Sequence, residues 1–269
     1  MNNKLRYLLF VPALLLIAIT TYPLLWNLSG AISTTPQINS FSILPKDVTL
    51  HNFVTIFTKY RFPLYIKNTL IFATIASTLS AIFNSMAAYA LARLNFPGKK
   101  AIFLVVLSTM MIPFSVTMIP LFLIIRTMRL VNTMAALVLP FMASGFGIFL
   151  LRQFFLGIPG ELEDAAKIDG LSFLGIYCHI VLPLSKPIFL TLLLTSFLSS
   201  WNQYLWPLIV NSKEALWVIT TGMANFTSDR QVNWNMLMTG ATVSVLPSVI
   251  LFAVFQRQLV DGVKLSGLK

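Results

Sequence analysis

The chain has 269 residues, 57% of them hydrophobic and only 10% charged, with a mean hydropathy of +0.82 and a formal charge of +11. Water-soluble domains carry roughly 25% charged residues, so this composition argues against an ordinary soluble enzyme and makes the bilayer the natural solvent. The basic residues stand singly or in twos and threes between apolar runs, which argues for membrane loops and against nucleic acid, and the single cysteine, Cys178, gives neither a disulfide framework nor metal-binding spacing.

In chain order, Lys4 and Arg6 precede an apolar stretch from Tyr7 to Leu28 that is too long for a secretory signal and reads as an uncleaved first span. Further apolar segments follow, so that spans are expected at about 7–30, 66–92, 101–125, 133–156, 184–210 and 236–256. Each approaches or exceeds the ~20 helical residues that cross ~30 Å of hydrocarbon. The expectation is an all-α integral membrane protein of about six transmembrane helices, a single domain over 1–269, with both termini on one side.

A polar loop from about Ser33 to Tyr65, with Pro36, Pro45 and Pro63, has room for short interfacial helices but not for a domain, and a second runs from about Asn211 to Asn235. Pro12, Pro23, Pro113, Pro120, Pro140, Pro207 and Pro247 fall inside the spans, where each removes a backbone donor and favours a kink, which is either the ordinary tolerance of proline in membrane helices or a bundle bent around a cavity. Cytoplasmic termini would place eleven of the nineteen Lys and Arg residues inside, a weak bias that Arg126 and Arg129 oppose from a short outer loop. On that orientation Lys100, Asp169 and Lys264 face the cytoplasm, while Lys59 and Asp229 face outward.

Nothing in the chain fits a phosphate-binding G-x-x-x-x-G-K-[ST] loop, since Gly98-Lys99-Lys100 lacks the upstream glycine; any ATP and Mg belong to partner chains and no cofactor is expected here. His51 and His179 stand apart and outside any ligand cluster, so no metal and no histidine catalysis are expected. The span centres are nearly free of ionisable residues, which counts against a proton-coupled carrier while leaving sodium coupling through carbonyls open.

Pro159 to Gly170 reads as a short amphipathic helix between two spans. Glu161, Glu163 and Asp164 crowd its first turn, Glu163 and Lys167 stand four apart in the favourable order, and Gly170 is a natural stop. Leu162, Ala165, Ala166 and Asp169 share one face at helical spacing. A second helix can start at Ser172 as N-cap and run through Phe173, Ile176, Tyr177 and Ile180 to Leu182-Pro183, so that about 157–182 forms an L-shaped elbow. On physics alone it is either a surface linker or an insert for a partner's groove. Beyond it, Trp201, Asn202, Gln203, Tyr204 and Trp206 mix flat apolar faces with amides, a combination that suits sugar stacking and equally an interfacial aromatic belt.

Asp164-Ala165-Ala166, then Gly170, Ile180, Leu182 and Pro183, resembles the E-A-A-x3-G-x9-I-x-L-P signature of binding-protein-dependent ABC importer permeases, with Asp164 standing where that pattern has Glu. The resemblance extends through Asn68-Thr69, Ala87 to Arg93, Phe149 to Phe155, Trp201-Asn202, Trp206 to Leu208 and Gly262 to Lys264, segments that look like the carbohydrate branch typified by maltose-type MalG permeases. It implies the type I importer permease fold and a multi-pass subunit in the cytoplasmic membrane of a prokaryote, with cytoplasmic termini. Such a subunit moves a sugar at the expense of ATP hydrolysed by partners and has no catalytic site of its own. It further implies a second permease subunit, two cytoplasmic ATPase subunits and an extracytoplasmic solute-binding protein. Glu161, Glu163, Asp164, Ala165, Ala166, Asp169, Gly170, Leu182 and Pro183 would then meet the ATPase, and Trp201, Asn202, Gln203, Tyr204 and Trp206 the solute path. The rival readings are a permease for a polyol phosphate or peptide, a stand-alone secondary carrier, and a membrane-embedded enzyme, for which no cluster of polar catalytic groups is present.

Overall fold

The computed structural model describes residues 3–34, 43–45, 47–227 and 232–267, with side chains described between residues 10 and 256. Among these residues the secondary structure is helical, with only isolated bridges at Ser33–Val48 and Thr227–Val232. Pro36 and Asp229 lie outside the described residues, as do the side chains of Lys4, Arg6 and Lys264.

Helix α1 (Asn3–Ala31) opens the chain, α2 (His51–Thr58) occupies the first polar loop, and α3 (Phe62–Arg93) follows as a single long helix. Next come α4 (Lys99–Thr109) and α5 (Phe114–Thr127), then α6 (Met134–Val138) with a 3-10 turn at Leu139–Phe141, then α7 (Gly145–Leu156). The elbow contains α8 (Gly160–Ile168), α9 (Phe173–Ile176), a π turn at Tyr177–Val181 and α10 (Leu182–Leu184), and leads into α11 (Lys186–Trp201). Helices α12 (Leu205–Val210), α13 (Ile219–Ala224) and α14 (Trp234–Gly267) complete the order.

Three helices, α1, α3 and α14, are long and apolar enough to cross a membrane unbroken. Three more spans reach that length only as bent pairs: α4 with α5 at 103°, α6 with α7 at 44°, and the α9–α10 segment with α11 at 82°. Counting each pair as one span gives six. The prolines explain part of this pattern. Pro113 sits extended between α4 and α5, Pro140 lies in the 3-10 turn before α7, and Pro183 and Pro187 flank the third bend. A proline cannot donate to the preceding turn and restricts the residue before it. Pro12, Pro23, Pro120 and Pro247, by contrast, stay inside continuous helices, and Pro207 lies within α12.

The apolar run expected as one span over 184–210 is not one helix. Helix α11 ends at Trp201, where the Asn202 amide donates to the Leu198 carbonyl at 2.8 Å, and the chain turns through Tyr204 before α12 begins. Both sides of the break are apolar and no glycine marks it, so hydropathy alone reads straight through.

The chain divides into two compact units. In residues 1–66 with 218–249, the Asn52 amide donates to the carbonyls of Ala31 (2.9 Å) and Ser33 (2.8 Å), and Asn235 donates to Ser33 (2.6 Å). These bonds satisfy acceptors that the end of α1 would otherwise leave orphaned. In residues 67–217 with 250–269, the core gathers Ala88, Tyr89 and Ala92 of α3, Leu151 and Phe155 of α7, Ala166 of α8, Ile176 of α9, and Ile188 and Leu192 of α11. The elbow is therefore anchored in the core of its own unit.

Candidate functional site

Helix α8 starts after an extended Pro159 and ends in a Schellman motif. Gly170 adopts φ +79°, its N–H bonds to the Lys167 carbonyl at 3.0 Å, and the Leu171 N–H reaches back to Ala166 at 3.0 Å. Left-handed backbone of this kind is the one place in the elbow where glycine is required. The Ser172 hydroxyl accepts from the Gly175 N–H at 3.2 Å, the expected N-cap of the second limb, and the Tyr177 hydroxyl, past the next turn, is 2.6 Å from that of Ser85 on α3. Both helical limbs of the elbow, with the predicted stop at Gly170 and the predicted N-cap at Ser172, are present.

Its faces are not. The side chains turned inward are Glu163 and Ala166, whereas Leu162 (44% exposed), Ala165, Ile168 (87% exposed) and Asp169 face outward. The expected shared face of Leu162, Ala165, Ala166 and Asp169 is thus split: Ala166 is buried in a core that includes Ala88 and Ala92 of α3, and Glu163 is paired with Arg93. The Arg93 Nε atom lies 2.9 Å from Glu163 Oε1, an ion pair off the axis of an aligned hydrogen bond. The expected Glu163–Lys167 pair is replaced by Lys167 with Asp164, at 2.8 Å. That hydrogen bond holds the Lys167 ammonium above the ordinary lysine range. A raised cation pKa gives stability that is complete at neutral pH and is lost only as pH climbs past the lysine range, so this exposed pair does not respond near neutrality. Glu161, Asp164, Gly170 and Pro183 are exposed, and Leu182 is half-buried.

The residues of the aromatic cluster differ in burial. Trp201 is buried and stacks on Phe197 at 5.8 Å between centroids. Trp206 is fully buried, its indole N–H donating to the Ala136 carbonyl at 2.9 Å. Gln203 is half-buried, and Asn202 and Tyr204 are exposed.

A cavity of about 480 Å³ lies instead among α3, α5, α7 and α11. Ser80, Ser144, Thr195, Ser196, Ser199 and Ser200 give it hydroxyls, Phe114, Phe141 and Phe146 give it flat apolar faces, and no charged side chain lines it. Buried Asn84 organises one wall, donating to Ser80 Oγ at 2.8 Å and accepting from the Ser144 N–H at 2.9 Å. Gly147 allows this approach, since a Cβ there would come within 2.6 Å of the Asn84 amide. The only sequence signal for the cavity is the spacing of Thr195, Ser196, Ser199 and Ser200 on one face of α11. Hydroxyls in membrane helices commonly bond their own backbone, as Thr195 does to Thr191 at 2.8 Å, so that signal is easily read as structural. Among the described residues no group of three or more His, Cys, Asp or Glu side chains could hold a metal ion.

Residues 81–265 match the family described as binding-protein-dependent transport system inner membrane component. The arabinooligosaccharides transport system permease protein AraQ of Halalkalibacterium halodurans is 34% identical over 98% of this chain and 97% of its own. The lactose transport system permease protein LacG of Rhizobium radiobacter is 32% identical, covering 91% and 89%. A chain in the crystal structure of a bacterial ABC transporter that imports the acidic polysaccharide alginate shares the fold, with a TM-score of 0.84, 24% identity, and 96% and 98% of the two chains aligned.

Proposed function

The chain belongs to the binding-protein-dependent transport system inner membrane component family, and from that premise we propose that it forms one half of the membrane path of a carbohydrate importer. The observation that carries this reading is the elbow, held against its own unit by Glu163 and Ala166 while Leu162, Ala165, Ile168 and Asp169 remain uncovered. A polar and apolar outer face on a short rigid helix suits docking into a cleft of a cytoplasmic ATPase subunit. In this reading two such ATPase subunits carry ATP and Mg, a second permease subunit completes the path, and an extracytoplasmic binding protein delivers the solute. The path opens alternately to each side as the ATPases close on ATP and reopen after hydrolysis.

The docking role requires Asp169 and both termini to be cytoplasmic. In a chain with its exposed Cys178 replaced by Ser, Asp169→Cys should react with an impermeant thiol reagent in inside-out vesicles but not in intact cells. Labelling in intact cells would reverse the orientation and remove the docking role.

The cavity supports an uncharged sugar. Phenyl faces stack on sugar C–H surfaces and hydroxyls exchange hydrogen bonds with the ring substituents, and the volume falls within the range of roughly 300–1,000 Å³ usual for small-molecule sites. A phosphate or carboxylate would enter without a basic partner, which argues against a polyol phosphate and against an acidic cargo like that of the alginate importer. Ser199→Trp should fill the cavity and reduce uptake of neutral oligosaccharide roughly tenfold or more in reconstituted complexes, with ATPase association intact. Wild-type uptake by this variant, or preferred uptake of a polyol phosphate, would remove the cavity from the solute path.

A further inference from the structure

Arg93, the last residue of α3, does not cap its own helix. The C-terminal carbonyls there are served by other cations: Arg152 donates to Leu91 at 3.1 Å, and Lys99 donates to Ala92 at 3.1 Å and Leu94 at 2.8 Å. The Arg93 guanidinium reaches forward instead. Its Nη2 donates to the Phe155 carbonyl at 2.6 Å, in the last turn of α7, and to the Ile158 carbonyl just beyond it, and its Nε contacts Glu163 of α8. One planar, permanently charged group thereby joins three segments, a task suited to arginine's forked donors and not to a single ammonium.

Two of the helices it joins, α3 and α7, are among those that wall the cavity. Helix α3 carries Ser80 and Asn84, about 20 Å and 14 Å along the helix from Arg93. Helix α7 carries Phe146 and has Ser144 at its N-cap. We propose that Arg93 is a positioning residue for transport: it makes α8, the end of α7 and the end of α3 move as one piece, so that displacement of the elbow by an ATPase subunit is delivered to the cavity walls. This rests on the reading of α8 as the docking helix. Glu163 serves here as the internal anchor of the elbow and not as a contact for the partner.

The test uses the full complex with its ATPases, second permease subunit and binding protein in proteoliposomes, measuring ATPase co-purification, ATP hydrolysis and solute uptake together. Loss of folded permease lowers hydrolysis and uptake in proportion; loss of the strut changes their ratio. Arg93→Gln is expected to retain ATPase association and hydrolysis while solute moved per ATP falls roughly tenfold. Glu163→Gln, which conserves volume and leaves the carbonyl bonds of Arg93 in place, should give a smaller fall, and Arg93→Lys should restore only part of the wild-type ratio. A wild-type ratio in both Gln variants overturns the proposal, and if Arg93→Gln does not assemble, Glu163→Gln decides alone. Ile168→Glu, on the exposed face, separates the two layers of the argument. If it abolishes ATPase association while the Gln variants keep the wild-type ratio, only the strut fails; if association survives it, the docking reading fails and the strut with it.

Discussion

Ala166→Trp is expected to expel the elbow from its seat and abolish ATPase association, through damage to this chain's own packing. Ala166 is 4% exposed and shares a core with Ala88, Ala92, Phe155, Ile176 and Tyr177. Ala166 is buried in that core, so an indole there has nowhere to go without moving the helix. Overpacking of this kind costs about 1–3 kcal/mol, and moving the helix also separates Glu163 from Arg93. Ala165→Trp is the contrasting variant, because Ala165 is exposed: it should leave the thermal stability of the purified permease unchanged and still block docking. Gly170→Val acts by a third route. A Cβ at Gly170 meets nothing within 4 Å, so its cost of roughly 1 kcal/mol comes from the backbone at φ +79°. Thermal unfolding in detergent, run beside ATPase co-purification, separates the three. An Ala166→Trp protein that unfolds and assembles like wild type would show that the elbow is not held by this core.

What could be read in the sequence was what local chemistry determines. Hydropathy over helical lengths located the six apolar segments, and cap chemistry located the elbow, including Ser172 and Gly170. The orientation of α8 was not legible, because it goes with Arg93, which contacts Glu163 from seventy positions earlier, and with the burial of Ala166 in a core built from several helices. An apolar count on the helix itself favours Leu162 facing inward and cannot anticipate a buried ion pair. Proline content predicted bending only in part: Pro113 stands at a break while Pro120, seven residues on, lies inside α5. Whether a proline bends a helix depends on whether neighbouring groups satisfy the freed carbonyl, which is a tertiary matter. The burial of the aromatic cluster was not legible for a related reason. Core, interface and sugar site all favour Trp beside an amide, and only tertiary packing separates buried Trp201 and Trp206 from exposed Tyr204.

Trp206→Ala should be among the most destabilising single changes in the described chain, and should lower uptake only as far as it lowers the amount of folded permease. The ring is fully buried within α12, and its N–H supplies the Ala136 carbonyl with a partner at 2.9 Å. Its centroid lies 6.1 Å from Phe114 in an edge-to-face arrangement, and Phe114 lies 5.7 Å from Phe141. Both phenylalanines line the cavity, so Trp206 supports that wall from behind. Removing a buried Trp typically costs about 3–5 kcal/mol. Hydrocarbon competes with protein for apolar surface in a bilayer, so here the loss comes mainly from forfeited packing and an orphaned carbonyl, which points to the lower end of that range. Trp206→Phe keeps most of the volume and loses the donor, and should cost about 1 kcal/mol. Tyr204→Ala, at a 40% exposed position, should leave stability unchanged. The deciding measurement is thermal unfolding of each purified variant beside the half-saturation concentration for uptake. If Trp206→Ala unfolds like wild type and shifts only the half-saturation, the indole contacts the solute and the supporting role assigned to it is wrong.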